Sequence, residues 1–226
     1  MKLAKNHIDI GINTNRTEEQ LAFWQTDVGL PFEELLAVGP GLRQHRHGMN
    51  GSVFKLNSAR DPLPDNPPAG YRELRIARRG LDALVHLVDV DGNRVTLVPS
   101  GYEGIEGIAV RLAVRDPDAH RRFYAEALEL EEVRPGVFRC GDSLLVCEVD
   151  PAAPADASRQ GIGYRYITIQ VWDCDAEHDG ILARGGREGM APVTLGTTAR
   201  ISFVRDPDGN WIEISQRATL TGALPG

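Results

Sequence analysis

The chain has 226 residues, 42% hydrophobic and 25% charged, ordinary values for a globular chain with enough apolar material for a core. Its 25 Lys and Arg against 32 Asp and Glu leave a net charge of −7 without a basic stripe, which excludes the electrostatic footprint of a nucleic-acid binder and predicts no duplex binding. No apolar run approaches the roughly 20 residues of a membrane span, and the polar start lacks a signal-peptide core.

The three cysteines, Cys140, Cys147 and Cys174, have no CxxC spacing. The expectation is a cytoplasmic chain with reduced thiols, no membrane contact and no zinc knuckle.

In chain order, His7–Thr14 opens with Ile8, Ile10 and Ile12 alternating at the period of a half-buried strand. Thr17–Trp24 reads as a helix with acidic residues in its first turn, where they suit the helix dipole; Gly29 ends it and Pro31 prevents its restart. About 100 residues on, the same unit returns. Ile108, Val110, Leu112 and Val114 alternate, Asp116-Pro117 starts a helix, and Phe123 falls in the register of Phe23.

Two further echoes follow. Gly70–Ile76 (GYRELRI) matches Gly163–Ile169 (GYRYITI), and Val88–Leu97 matches Val204–Ile214, each with Asp-Gly between apolar alternations as in a strand–turn–strand. Four echoes in the same order define two domains, one per sequence half, 1–101 and 104–218, followed by a patternless tail (219–226). Each half contains two modules separated by Pro-rich connections, residues 61–68 and 151–157. Only about 20 residues separate Glu73 from Thr96, too few for a helix and three strands, so the second module is expected to be abridged. The fourth has room for a helix over Glu177–Arg184.

The run FVRDPDGNWIEI, residues 203–214, following a strand–helix opening such as Gly107–Val133, resembles the closing hairpin of the vicinal oxygen chelate superfamily, the group of glyoxalase I, extradiol dioxygenases and bleomycin-resistance proteins. The resemblance covers nearly the whole chain, twice. It implies an α+β fold of tandem βαβββ modules forming two half-open β cups, and a small-molecule ligand. In metal-binding members the ligands come from first and last strands of paired modules, so that side chains converge on a divalent ion such as zinc, iron, manganese or nickel and leave positions open for two vicinal oxygens.

Carried over position by position, the first-strand residues are His7, Glu73, Gly107 and Tyr166, and the last-strand residues are Lys55, Thr96, Glu148 (or Cys147, one residue out of register) and Glu213. The resemblance thus implies His7, Glu213 and Glu73 as metal ligands and Glu213 with Tyr166 as catalytic groups. Trp211, Glu148 and Lys55 would line the pocket. Pairing within halves or first-with-fourth are both open; the second would bring His7, Lys55, Tyr166 and Glu213 together. Two ligands from that set are fewer than the three usual at catalytic zinc.

The leading expectation is a metal-dependent glyoxalase- or dioxygenase-like enzyme, with a metal-free binding or antibiotic-sequestration protein as the alternative. A homodimer is left open. His45 and His47 are read as hairpin surface residues, and His86, His120 and His178 as exposed. No hydrolase, Walker or dinucleotide motif occurs.

Overall fold

The computed structural model describes residues 1–225, and its strands follow the alternation of apolar residues. In β1 (Leu3–Thr14) the side chains of Ile8, Ile10 and Ile12 are wholly buried in the core, and Asp9 and Gly11 point to the other face. The first module continues with α1 (Thr17–Ala22), β2 (Phe32–Gly39), β3 (Leu42–Met49) and β4 (Ser52–Ala59). The second holds β5 (Tyr71–Arg78), β6 (Val85–Val88) and β7 (Arg94–Pro99), with no helix between them; it is the abridged one.

The third module contains β8 (Ile108–Val114), α2 (Pro117–Arg121), β9 (Glu131–Arg134), β10 (Val137–Cys140) and β11 (Ser143–Val149). The fourth contains β12 (Gly163–Val171), α3 (Cys174–Ala183), β13 (Arg187–Leu195), β14 (Ala199–Arg205) and β15 (Trp211–Arg217). Helix α3 starts earlier than Glu177 because the Asp173 carboxylate accepts from Ala176 N–H and caps it. The segment after Arg217 is not patternless: Ala218–Thr221 forms one helical turn, tied to Thr198 through its backbone.

The modules pair first with fourth and second with third. One sheet has the order β13-β14-β15-β12-β1-β4-β3-β2, the other β6-β7-β5-β8-β11-β10-β9. Each sheet therefore draws one module from each sequence half. Both are curled half-barrels, and their apolar faces share one core that includes Ile10, Trp24, Leu74, Val110, Tyr124 and Ile167. The concave faces carry the polar side chains.

The repeat extends to details. In both helices the last turn widens to π geometry, Val28 N–H bonding to Phe23 C=O and Leu128 N–H to Phe123 C=O. In both Asp-Gly turns a buried aspartate closes the loop: the Asp89 carboxylate accepts from the Asn93 backbone and side chain, and Asp206 does the same for Asn210. Gly92 and Gly209 take φ of 87° and 82° in these turns, a left-handed conformation that favours glycine.

Each helix also reaches the turn of the opposite sheet. Gln20 on α1 donates to Asp91 at 2.8 Å. The equivalent residue on α2 is His120, which is fully buried, not exposed as expected, because α2 lies against the β14–β15 turn. Its Nε2 stands 3.5 Å from both Asp206 and Asp208, and its Nδ1 lies 2.8 Å from the Asp116 carbonyl. His178 is likewise buried, near Glu188, and His47 on β3 is buried against Gln25, not at the surface as expected; burial holds its pKa down to about 4.

Burial alone would lower the His120 pKa, but Asp206, the Asp116 carbonyl and Asp208 outweigh it and hold the value above normal. A histidine with a raised folded-state pKa adds stability that is complete below its unfolded value of about 6.5 and is lost as pH rises through the folded value. His120→Gln, which copies Gln20, is expected to flatten this part of the pH profile. Melting temperatures of wild type and variant between pH 5.5 and 9 test it, and parallel profiles would refute the assignment.

Candidate functional site in the eight-stranded cup

Side-chain parity along the central strands of the larger sheet builds the site. On β12, Ile167 and Ile169 enter the core, so Tyr166, Thr168 and Gln170 face the cup. On β15, Ile212 and Ile214 enter the core, leaving Glu213 and Ser215 on the concave side. Register then aligns them: Thr168 pairs with Glu213 on one side and with Asp9 on the other, and Gly11 pairs with Lys55.

The centre of the floor is a buried ion pair. Lys55 Nζ donates to Glu213 Oε2 at 2.8 Å and to Thr168 Oγ1 at 2.6 Å, and the Thr168 hydroxyl donates in turn to Glu213 Oε2. Lys55 is 3% exposed and Glu213 8%, so neither charge could be left alone there. Both donors converge on one carboxylate oxygen. The other oxygen of Glu213 has no protein partner among the described residues.

Beside the pair, Tyr166 Oη accepts from Asn57 Nδ2 at 3.1 Å and from Gln44 Nε2 at 3.4 Å, so its own hydroxyl hydrogen remains available to a ligand. Burial first, and the Glu213 charge second, raise the Tyr166 pKa well above normal; it stays a neutral donor. Its ring lies on Gly11, where any Cβ would fall 2.3 Å from ring carbons, so only glycine fits that position.

Deeper along the floor, Asp9 is fully buried and accepts from Lys5, Gln170 and the Val53 backbone. Burial raises its pKa, but Lys5, Lys55 and these hydrogen bonds dominate and hold it below the ordinary carboxylate value. Further basic groups line the wall. Arg46 and Arg217 both address Glu34 Oε2, at 3.4 and 2.9 Å. Arg159 lies over the Phe203 ring at 4.6 Å and has no carboxylate partner among the described residues. The cleft they enclose, about 500 Å³, also presents Leu36, Val38, Ile201 and Phe203.

The expected residues divide among three places. Lys55, Tyr166 and Glu213 share the cleft. Trp211 lies behind Phe203, under Arg205, with its indole N–H on the Ala157 carbonyl, so it supports the wall without lining it.

His7 does not join Glu213. The β1–β12 pairing is irregular between Leu3 and Ile8, and this segment swings toward the other sheet. There the Asn6 carbonyl accepts from Asp142 N–H and Ile8 N–H donates to Ser143 Oγ. The His7 ring sits against Gly51 and 3.8 Å from Asp142, and Asp9 takes the floor position instead.

Glu73 and Glu148 face the smaller cup. Glu73 binds Thr96, Arg75 and Arg111, and Arg111 also binds Glu148, so ion pairs fill that floor. The position that pairs as Lys55 does is there held by Val146, opposite Arg111; Glu148 lies two residues further, as Asn57 does.

The metal set His7, Glu213 and Glu73 is thus dispersed, and among the described residues no three His, Cys, Asp or Glu side chains converge as ligands. The donor chemistry of the larger cup does not fit a divalent ion either: its central carboxylate is already bound by an ammonium group. Sequence reasoning missed Thr168, Asn57, Asp9, Gln44 and Arg46. The first three share parity with Tyr166, Lys55 and Gly11, a signal that could have found them.

Residues 106–214 match the model of the Glyoxalase/Bleomycin resistance protein/Dioxygenase superfamily. Two probable lactoylglutathione lyases, from Vibrio parahaemolyticus and Vibrio cholerae, are each 44% identical over 69 and 70 residues, which is 29% and 30% of this chain. The matched stretch is 49% of either relative, so the chain spans about half the length of the curated proteins it matches.

Glyoxalase I from Zea mays superposes with a TM-score of 0.73 at 16% identity, over 93% of this chain and 92% of that one. A putative dioxygenase from Bacillus subtilis superposes at 0.65 with 14% identity, over 96% and 86%. At these identities the likeness is one of fold.

Removing one partner of the floor pair should be far worse than removing both. Lys55→Met leaves a buried carboxylate without its cation and is expected to cost about 3–5 kcal/mol, whereas Lys55→Met with Glu213→Leu should recover most of that loss. Urea denaturation of the two proteins measures the difference. Equal destabilisation would show that the pair is not coupled.

Proposed function

We propose, from the premise that this chain is a tandem member of the vicinal oxygen chelate superfamily, that its larger cup binds a small anionic organic molecule. The observation that carries this reading is the charge of the cleft. Four basic side chains, Lys55, Arg46, Arg217 and Arg159, line it against Glu213 and the rim residue Asp61, in a chain whose overall charge is −7. Arg46 and Arg217 share one carboxylate oxygen of Glu34, and burial followed by the neighbouring Arg46 lowers the Arg217 pKa. A buried and a half-buried guanidinium with a single shared counter-charge favour an incoming carboxylate or phosphate.

The cleft volume, about 500 Å³, lies within the roughly 300–1,000 Å³ of small-molecule sites. The apolar wall of Leu36, Val38, Ile201 and Phe203 supports a ligand with an apolar or planar body, and the Tyr166 hydroxyl supports an oxygen acceptor on it. The unpartnered oxygen of Glu213 is placed to accept a hydrogen bond or a proton from the ligand.

A second reading, a lyase acting as the Vibrio relatives are named, is favoured by their 44% identity over part of the chain. Direct assay of the purified protein for lactoylglutathione lyase activity, with and without added divalent ions, separates the two. Turnover that appears only with metal would replace the first reading.

The anionic-ligand reading is tested with a panel of small aromatic and aliphatic carboxylates and phosphates by calorimetry. At least one is expected to bind, with an affinity that falls with salt and drops about tenfold or more in Arg46→Gln and Arg217→Gln, the loss of a charge-assisted hydrogen bond. Neutral analogues binding as well as the anions would defeat the reading.

A further inference from the structure

We propose that the Lys55 ammonium is the resident cation of the larger cup, standing between the strands of the first and fourth modules where a divalent ion would otherwise be held. The inference rests on the reading that this cup is the ligand site. It goes further in assigning how the cup meets its ligand: by hydrogen bonds from a fixed organic cation, with no metal ion between protein and ligand.

Three observations carry it. The ammonium has three donors; Glu213 and Thr168 take two, and Lys55 lines the cleft, which leaves the third for a ligand oxygen. Next, the pair spans the sheet. Lys55 comes from β4 and Glu213 from β15, 158 residues apart, so the ammonium joins the two modules as a bound ion would.

The third observation is that the smaller cup also holds a basic side chain on its floor carboxylates, with different residues and a different arrangement. Arg111 on β8 bridges the carboxylates of Glu73 on β5 and Glu148 on β11, one from each paired module, where Lys55 binds the single carboxylate of Glu213. The basic residues occupy different strand positions, because Lys55 pairs with Gly11 and Arg111 pairs with Val146. Internal charge neutralisation therefore occurs twice in one chain, through different residues. In each cup a divalent ion would have to displace a cation already hydrogen-bonded to the carboxylate it needs.

Titration calorimetry of the untagged protein with zinc chloride and with manganese chloride tests the inference without any organic ligand. Wild type and Glu213→Gln are expected to give the same heats, whatever weak surface binding occurs. Stoichiometric binding at micromolar affinity or tighter that disappears in Glu213→Gln would overturn the proposal.

Lys55→His replaces the ammonium with a metal donor beside Glu213 and is expected to gain a site at least tenfold tighter than wild type, seen also as a metal-dependent rise in melting temperature. A folded Lys55→His protein that binds no tighter than wild type would equally overturn it. If that variant does not fold, the wild-type and Glu213→Gln comparison decides alone. An anion panel that fails beside metal titrations that behave as expected would remove the proposed ligand class and leave the resident cation standing.

Discussion

The antiparallel pairing of β1 with β12 is the constraint on which the site depends. These strands lie in opposite halves of the sequence, yet their ladder from Ile8–Ile169 to Asn13–Gly163 sits at the middle of the eight-stranded sheet. Once it forms, β4 adds beside β1 and β15 beside β12, both in parallel, and the concave face collects Lys55, Thr168, Tyr166 and Glu213. A one-residue slip would send the isoleucines of β1 and β12 into the cup and its polar groups into the core. The shared apolar core and the polar floor are thus two results of one register.

Electrostatics completes what the register begins. Strand pairing alone would bring carboxylates and bases into a half-buried floor at a desolvation cost of several kcal/mol per unpaired ion. The larger cup meets this with Lys55, Glu213 and Thr168 and remains open; the smaller one meets it with Arg111, Glu73, Glu148 and Arg75 and is filled. The asymmetry follows from side-chain size at one paired position. Gly11 lies opposite Lys55 and admits the Tyr166 ring, and its counterpart Arg111 occupies that space itself.

The fold was largely legible in the sequence because its signals are local and doubled: alternating apolar residues, the Phe23 and Phe123 register, and the Asp-Gly turns. The truncated second module was visible as a simple shortage of residues. The site was legible only in part. Lys55, Tyr166 and Glu213 could be placed on facing strands, but the pairing of modules could not be decided locally. His7 was misplaced because a backbone irregularity breaks the alternation on which its position was inferred. The local pattern around His120 is that of a surface helix, because its burial comes from the turn of another module, 86 residues away.

The position of β12 in the chain has a consequence for the order of assembly. Residues 71–149 contain every strand of the smaller sheet, whereas the larger one needs the first 59 residues and those from 163 onward. A chain emerging from the ribosome can complete the inner sheet while β1 still carries an unpaired edge beside β4. Closing the outer sheet then brings together segments more than 100 residues apart, a slow step for topologies of high contact order. Until then Lys55 on β4 has no Glu213 to bind, because β15 has not yet joined the sheet. In that order of assembly the larger cup, which needs both β1 and β12, is the last part of the fold to close.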